Sequence, residues 1–261
     1  MHFKMNRIDR LFRERDSGIL SVYFTAGFPD LEDTSMVIRE LDRNGVDMIE
    51  IGMPFSDPMA DGPLLQVCNQ QALENGMTLK HLFEQLKTIR ETVDIPLLLM
   101  GYLNPVLNHG MDKFCRHASD VGIDGVILPD LPVREYRNHY QEHFRKHGLH
   151  MIFLISPQTS EARIREIGSM GKGFIYMVSS ASTTGVKNGF QAEQISYFER
   201  IRGMGLEQPR LIGFGISSRE TYDQACRYAA GAIIGSAFMK SLMAEGTIPD
   251  KVSRFIHQIR S

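Results

Sequence analysis

Cysteine is scarce in this chain of 261 residues, and the three present, Cys68, Cys115 and Cys226, stand far apart with no C-x-x-C spacing. So odd and sparse a set excludes a disulfide framework and reads as buried free thiols in a reducing compartment. Each falls in a helix-like stretch, away from the strand ends where a nucleophile would be displayed. An excess of charge is lacking too. The 29 basic and 31 acidic residues leave a net charge of −2, which offers no basic footprint to nucleic acid. Long apolar runs are missing: those such as residues 95–100 are far too short to span a bilayer. The first residues also carry no apolar core followed by a small-residue cleavage site. These absences predict a soluble, cytoplasmic protein with no nucleic-acid or membrane partner.

What is present is an ordinary globular composition, 43% hydrophobic and 23% charged, at a length that α/β barrels commonly reach as one domain. Such a chain buries a large core without covalent staples. No low-complexity segment, sequence repeat or linker interrupts it, so residues 1–261 read as a single domain. Short apolar runs recur as strand candidates at 19–24, 47–51, 96–100, 125–128, 151–155, 173–178, 210–213 and 231–234. Amphipathic stretches separate them, as at 80–90, where Leu79, Leu82, Phe83, Leu86 and Ile89 fall near one face. Strands apolar on both sides belong to a parallel sheet covered by helices. Eight such units favour a closed (β/α)8 TIM barrel, with an open parallel sheet as the alternative. Residues 5–16 add a helix ahead of the first strand, with Ile8, Leu11 and Phe12 as its apolar stripe and Gly18 as its stop. In a barrel such a helix plugs the bottom face.

One connection is unusually long. After the second strand candidate comes GMPFSDPMADGP, residues 52–63, too rich in proline and glycine for a helix. It sits where barrel enzymes carry active-site loops. Two carboxylates bracket it, Glu50 and Asp61. Strand alternation sets Glu50 opposite Ile49 and Ile51. A carboxylate in an apolar strand is costly unless paired or close to the solvated mouth, and partial burial raises its pKa toward that of an acid/base catalyst. A structural glutamate bonded to a neighbour is the competing reading. Asp61, in Ala60-Asp61-Gly62-Pro63, is on its own a turn residue. Its company with Asp57 and Glu50 suggests a division of acid and anion-holding roles. His109, His117, His139, His143 and His147 fall in helical or loop surface stretches, so no metal is expected.

The last three strand ends make a second constellation. Ser179-Ser180-Ala181-Ser182-Thr183-Thr184-Gly185 follows the sixth, Gly213-Phe214-Gly215-Ile216-Ser217 the seventh, and Gly235-Ser236-Ala237 the eighth, leading into a helix. Small residues let backbone N–H groups approach an anion, and barrels often hold phosphate there. Tyr176 is a polar aromatic in the sixth strand. By alternation it is a core tyrosine unless it faces the mouth that Glu50 faces. No lysine stands near the C-terminal end of a strand candidate, which argues against Schiff-base chemistry.

The stretch Ile49 to Pro63, IEIGMPFSDPMADGP, resembles the signature of tryptophan synthase alpha subunits. The likeness runs in order through Phe24-Thr25-Ala26-Gly27, Met100-Gly101-Tyr102-Leu103-Asn104-Pro105, Pro129-Asp130-Leu131-Pro132, the Ser/Thr loop, GFGIS and IIGSA, covering nearly the whole chain. It implies fission of indole-3-glycerol phosphate to indole and glyceraldehyde 3-phosphate. Glu50 matches the family's acid/base residue and Asp61 the carboxylate that binds the indole N–H. Tyr176 matches a tyrosine near Glu50, and Thr184 the loop threonine that closes over Asp61. Gly185, Gly215, Gly235 and Ser236 match phosphate donors. Tyr23, Met100, Phe214 and Ile233 match the pocket walls. Pro54, Phe55, Asp57, Asn104, Pro105, Asn108 and Asp130 match the side facing a beta subunit, with which the family forms an alpha2beta2 heterotetramer. Pyridoxal phosphate belongs to that partner, and no cofactor is expected in this chain. Two departures stand out: Ser180 occupies a position where several members carry arginine, and Tyr23 one where some carry phenylalanine.

Three rivals remain at this point. Another phosphate-binding barrel enzyme of the same pathway is one, although the synthase-type reaction needs a strand-end lysine missing here. A catalytically silent activating subunit is the second, against which the intact carboxylates and phosphate loops speak. A stand-alone lyase, the third, shares all these residues.

Overall fold

Eight parallel strands pair each with the next, and the eighth returns to the first, closing a barrel in sequence order. The computed structural model describes residues 5–170, 172–179 and 189–261. The strands are β1 (Ile19–Thr25), β2 (Met48–Gly52), β3 (Leu97–Met100), β4 (Gly125–Ile127), β5 (His150–Ile155), β6 (Ile175–Val178), β7 (Arg210–Gly213) and β8 (Gly231–Ile234). Helices fill every described interval between them, so this is a (β/α)8 TIM barrel rather than an open sheet. The expected bounds of β7 and β8 are met, and those of the other six strands shift by one or two residues. At β6 the cause is Gly173, whose φ of +79° lies in the left-handed region and cannot extend the strand.

Alternation along the strands sorts side chains into two layers. Ile49 and Ile51 pack outward beneath the helices, while Met48, Leu98, Ile127, Ile152, Phe174 and Leu211 fill the barrel's inside. Ile8, fully buried, joins that inner cluster from the helix Arg7–Glu14, with Leu11 and Phe12 packed beside it. The Phe12 and Phe174 rings lie 5.7 Å apart, so the leading helix does plug the bottom. Gly18 is not its stop. The helix ends on Arg15 in extended conformation, and Gly18, with φ +64°, makes the later turn into β1.

The seam between β8 and β1 is tight. A Cβ on Gly231 would stand 1.9 Å from the Ile19 carbonyl oxygen, so only glycine lets these strands meet. The long β2–β3 connection contains the helices Pro63–Glu74 and Leu79–Leu86 and a short 3-10 turn, Ile89–Glu91. Leu82, Phe83, Leu86 and Ile89 are buried as the periodicity predicts. Among the described residues no helix is long and apolar enough to cross a membrane.

Candidate active site

A cavity of about 290 Å³ opens at the C-terminal ends of the strands. Tyr23 from β1, Met100 from β3, Tyr176 from β6, Phe214 after β7 and Ile233 from β8 form its mostly apolar wall. Asp61, Leu64 and Leu65 contribute from the β2–β3 connection, and Gly215, Gly235 and Ser236 from the ends of β7 and β8. All four residues expected as pocket walls therefore lie here, as do Asp61, Tyr176 and three of the four expected phosphate donors. Thr184 and Gly185, together with Ser180, lie outside the described residues.

Glu50 is placed differently from expectation. It is wholly buried instead of partly exposed, and it does not line the cavity. In the register of β1 with β2 it stands beside Tyr23, a residue of the cavity wall. Its Oε1 accepts a hydrogen bond from Ser21 Oγ at 3.0 Å, and its Oε2 has no partner among the described residues. Burial without a cation pushes its pKa up to about 8, only partly offset by the Ser21 bond. At neutral pH this carboxyl holds its proton. Tyr176, also buried, has its hydroxyl pushed well above the ordinary range by burial and then by the proximity of Glu50. The Tyr176 hydroxyl lies over the backbone of Gly213, where a Cβ would come within 2.3 Å of it. Gly52 makes the same room for the Tyr23 hydroxyl.

Asp61 is half-buried, and its Oδ2 accepts from Asn69 Nδ2 at 3.0 Å. Burial raises its pKa to about 6, with the Asn69 bond opposing. Between those two values Glu50 is a neutral acid and Asp61 an anion. One cavity thus has a negative charge in its wall and a buried proton donor beside one of its wall residues.

The β7 and β8 ends carry the backbone features of an anion cradle. Phe214 holds φ +68°, rare for a residue with a side chain, and Gly215 follows at +78°. Ser179 Oγ donates to the Phe214 carbonyl at 2.6 Å and helps to fix this turn. Gly235 caps the helix Ser236–Leu242, whose first-turn N–H groups have no intrahelical acceptor.

The residues expected to face a partner fall on neighbouring strand ends. Asp57 is exposed, with Pro54 and Phe55 half-buried, in the loop after β2. Asn104, Pro105 and Asn108 lie on the helix Leu103–His109 after β3, and the Asp130 carboxylate, beyond β4, accepts the Leu103 N–H at 3.0 Å. The loop is better anchored than its composition suggests. The Phe55 ring packs 5.3 Å from that of Tyr102, and the Ala60 N–H donates to the Tyr102 hydroxyl at 2.9 Å.

Besides Leu64 and Leu65, three polar residues at the site escaped sequence reasoning. Ser21 was legible as a polar residue in the apolar run ILSVYF, in step with Tyr23 on the inward face. Asn69 lies in helix Pro63–Glu74 and offers no local pattern that points at Asp61. Lys240 lines the cavity from the helix after Gly235. Among the described residues no group of three or more His, Cys, Asp or Glu side chains is arranged to hold a metal ion.

The sequence pattern of the family described as "Tryptophan synthase alpha chain" matches residues 11–259. The tryptophan synthase alpha chain of Flavobacterium psychrophilum is 56% identical over 255 residues, covering 98% of this chain and all of the relative. That of Parabacteroides distasonis is 50% identical over 256 residues, again 98% of this chain and all of the relative. Among solved structures, tryptophan synthase subunit alpha from Legionella pneumophila superposes with a TM-score of 0.88 at 32% identity, covering 98% of both chains. Tryptophan synthase from M. tuberculosis, in an aminoacrylate-bound form, gives 0.84 at 26% identity, covering 97% of this chain and 98% of that one.

Proposed function

The chain belongs to the tryptophan synthase alpha chain family, with the alpha-subunit role in tryptophan biosynthesis, and from that premise we propose how its residues divide the work of a lyase acting on indole-3-glycerol phosphate. The observation that carries the reading is the split between the two carboxyls, Glu50 raised to about 8 and Asp61 to about 6.

The indole ring lies between the apolar walls formed by Tyr23, Met100, Phe214 and Ile233. Asp61 accepts the ring N–H. Gly215, Gly235 and Ser236 donate backbone N–H groups to the phosphate, with Gly185 as a fourth donor and Thr184 closing over Asp61. Glu50, protonated at the outset, gives its proton to C3 of the indole, and the ring becomes a cation that the Asp61 carboxylate stabilises. The side-chain hydroxyl then returns a proton to Glu50 while the C3–C bond breaks. Its electron pair restores the aromatic ring, and the hydroxyl carbon leaves as the aldehyde of glyceraldehyde 3-phosphate. Protons balance, and Glu50 ends as it began. Tyr176 packs beside Glu50 and keeps water from it. No step calls on a cofactor in this chain.

Two tests follow from the carboxyl split. Indole release measured against pH should give kcat/KM highest between about 6 and 8. It falls on the acid side as Asp61 takes up a proton, and on the alkaline side as Glu50 loses one. Asp61→Asn should lower kcat about 10–100-fold with a smaller change in KM, because its charge matters most when the ring is cationic. An unchanged kcat with a weaker KM would assign Asp61 to binding alone.

Pro54, Phe55, Asp57, Asn104, Pro105, Asn108 and Asp130 are the surface proposed for a pyridoxal-phosphate-dependent beta subunit, in an alpha2beta2 assembly in the cytoplasm. Docking there bears on the segment that joins Glu50 to Asp61. We therefore expect a matched beta subunit to raise the rate of indole release at least ~10-fold, in line with couplings of about 1–3 kcal/mol. Full activity in the isolated chain, indifferent to any beta subunit, would favour a stand-alone lyase.

A further inference from the structure

The cavity holds one charged side chain that the reaction just described leaves unused. Lys240 lines it from the helix Ser236–Leu242, four residues beyond Ser236 and therefore on the same helical face. Among the described residues lining the cavity, Lys240 is the one cation and Asp61 the one anion. No ion pair involves Lys240 among the described residues. Every aspartate and glutamate of the chain lies within those residues, and among them its ammonium has no carboxylate partner.

An exposed lysine without a partner is ordinarily just a solvated surface group. Two observations set this one apart. It lines a cavity, and Gly215, Gly235 and Ser236, the backbone donors proposed for the phosphate, line that same cavity. Backbone N–H groups satisfy the oxygens of a phosphate but carry no net charge against a dianion. A compact ammonium on a flexible stem supplies that charge.

We propose that Lys240 is a substrate-binding residue that neutralises the phosphate of the ligand and makes the site selective for anionic esters. The inference rests on the reading of the cavity given under Proposed function and adds a charge-selecting residue to it. Because the ammonium is exposed, its contribution is screened by salt, and it acts on binding rather than on the chemical step.

The test compares wild type with Lys240→Met and Lys240→Arg, using sn-glycerol 3-phosphate as the anionic probe and indole as the neutral one. In Lys240→Met, the KM for indole-3-glycerol phosphate and the Kd for glycerol 3-phosphate should both rise about tenfold, equivalent to about 1.4 kcal/mol. The kcat should stay within about twofold and indole affinity should not move, since a charge–phosphate contact of this kind is uniform binding. Lys240→Arg should restore most of the affinity. Raising the ionic strength should weaken glycerol 3-phosphate binding to wild type more than to Lys240→Met. Unchanged Kd and salt dependence in Lys240→Met would return Lys240 to the solvated surface and overturn the proposal. Wild type that binds glycerol 3-phosphate yet releases no indole overturns the lyase reading, and the Kd comparison still decides Lys240. Wild type that binds no glycerol 3-phosphate overturns both.

Discussion

Glu50→Gln should lower indole release from indole-3-glycerol phosphate by ~10²–10⁴-fold, the span of general acid–base catalysis, while substrate binding survives. The same substitution should make the protein more stable. In an unfolded chain this carboxyl ionises near its ordinary value of 4.5, whereas in the fold it keeps its proton up to about 8. Between those values the native state binds a proton that the unfolded state has released. Stability therefore falls as pH rises through the window, by about 1.4 kcal/mol per pH unit for one group. At pH 7 the deficit is about 3 kcal/mol, of which glutamine, itself a buried amide, should recover about 1–3 kcal/mol. Urea or thermal melts of wild type and Glu50→Gln should accordingly nearly coincide near pH 4.5 and diverge toward pH 8. Near wild-type turnover in the variant would remove Glu50 from the chemistry. Melts that run parallel at every pH would show that its carboxyl carries no burial penalty.

Gly215→Val should abolish phosphate-ester binding, weakening it by at least ~10²-fold, or about 2.7 kcal/mol, with free indole still bound. The backbone at Gly215 holds φ +78°, directly after Phe214 at +68°. A β-branched residue is all but excluded from that region, so the turn must open and withdraw its N–H from the cavity. Calorimetric titration with sn-glycerol 3-phosphate and with indole separates the two effects, and circular dichroism shows whether the barrel persists. A folded Gly215→Val protein that binds glycerol 3-phosphate normally would remove the β7 turn from the cradle.

Much of this architecture was legible because its causes are local. Eight apolar runs spaced by amphipathic stretches specify strands buried on both faces, and the stripe Ile8, Leu11, Phe12 specifies a helix with one side to hide. Glycine gave mixed guidance. In GFGIS and GSA it marked the turns correctly, yet Gly18 looked like a helix stop and serves a turn three residues further on. The depth of Glu50 was not legible. Alternation says which way a side chain points, but how much barrel lies above it depends on the stagger of eight strands and on two tyrosines folding over glycines in adjacent strands. Asn69 and Lys240 were missed for a related reason. Each is an ordinary helical residue until the tertiary fold brings its helix to the cavity. The linkage of Tyr102 to Phe55 and Ala60 is likewise a contact between two strand ends far apart in sequence.

The closing of β8 onto β1 also governs when a working site comes into existence. Ser21 and Tyr23 lie on one side of that junction, and Gly235 and Ser236 on the other, with nearly the whole chain between them. Bringing such remote segments together carries a large loop-closure cost, so a pairing of this kind is slow to form. A chain that has folded its earlier strands but has not yet closed already owns both carboxylates and most of the apolar wall, but lacks Gly235 and Ser236 of the phosphate cradle. The return of indole release during refolding is therefore a clock for the final closure, and fluorescence or helicity recovered earlier reports only a barrel still standing open.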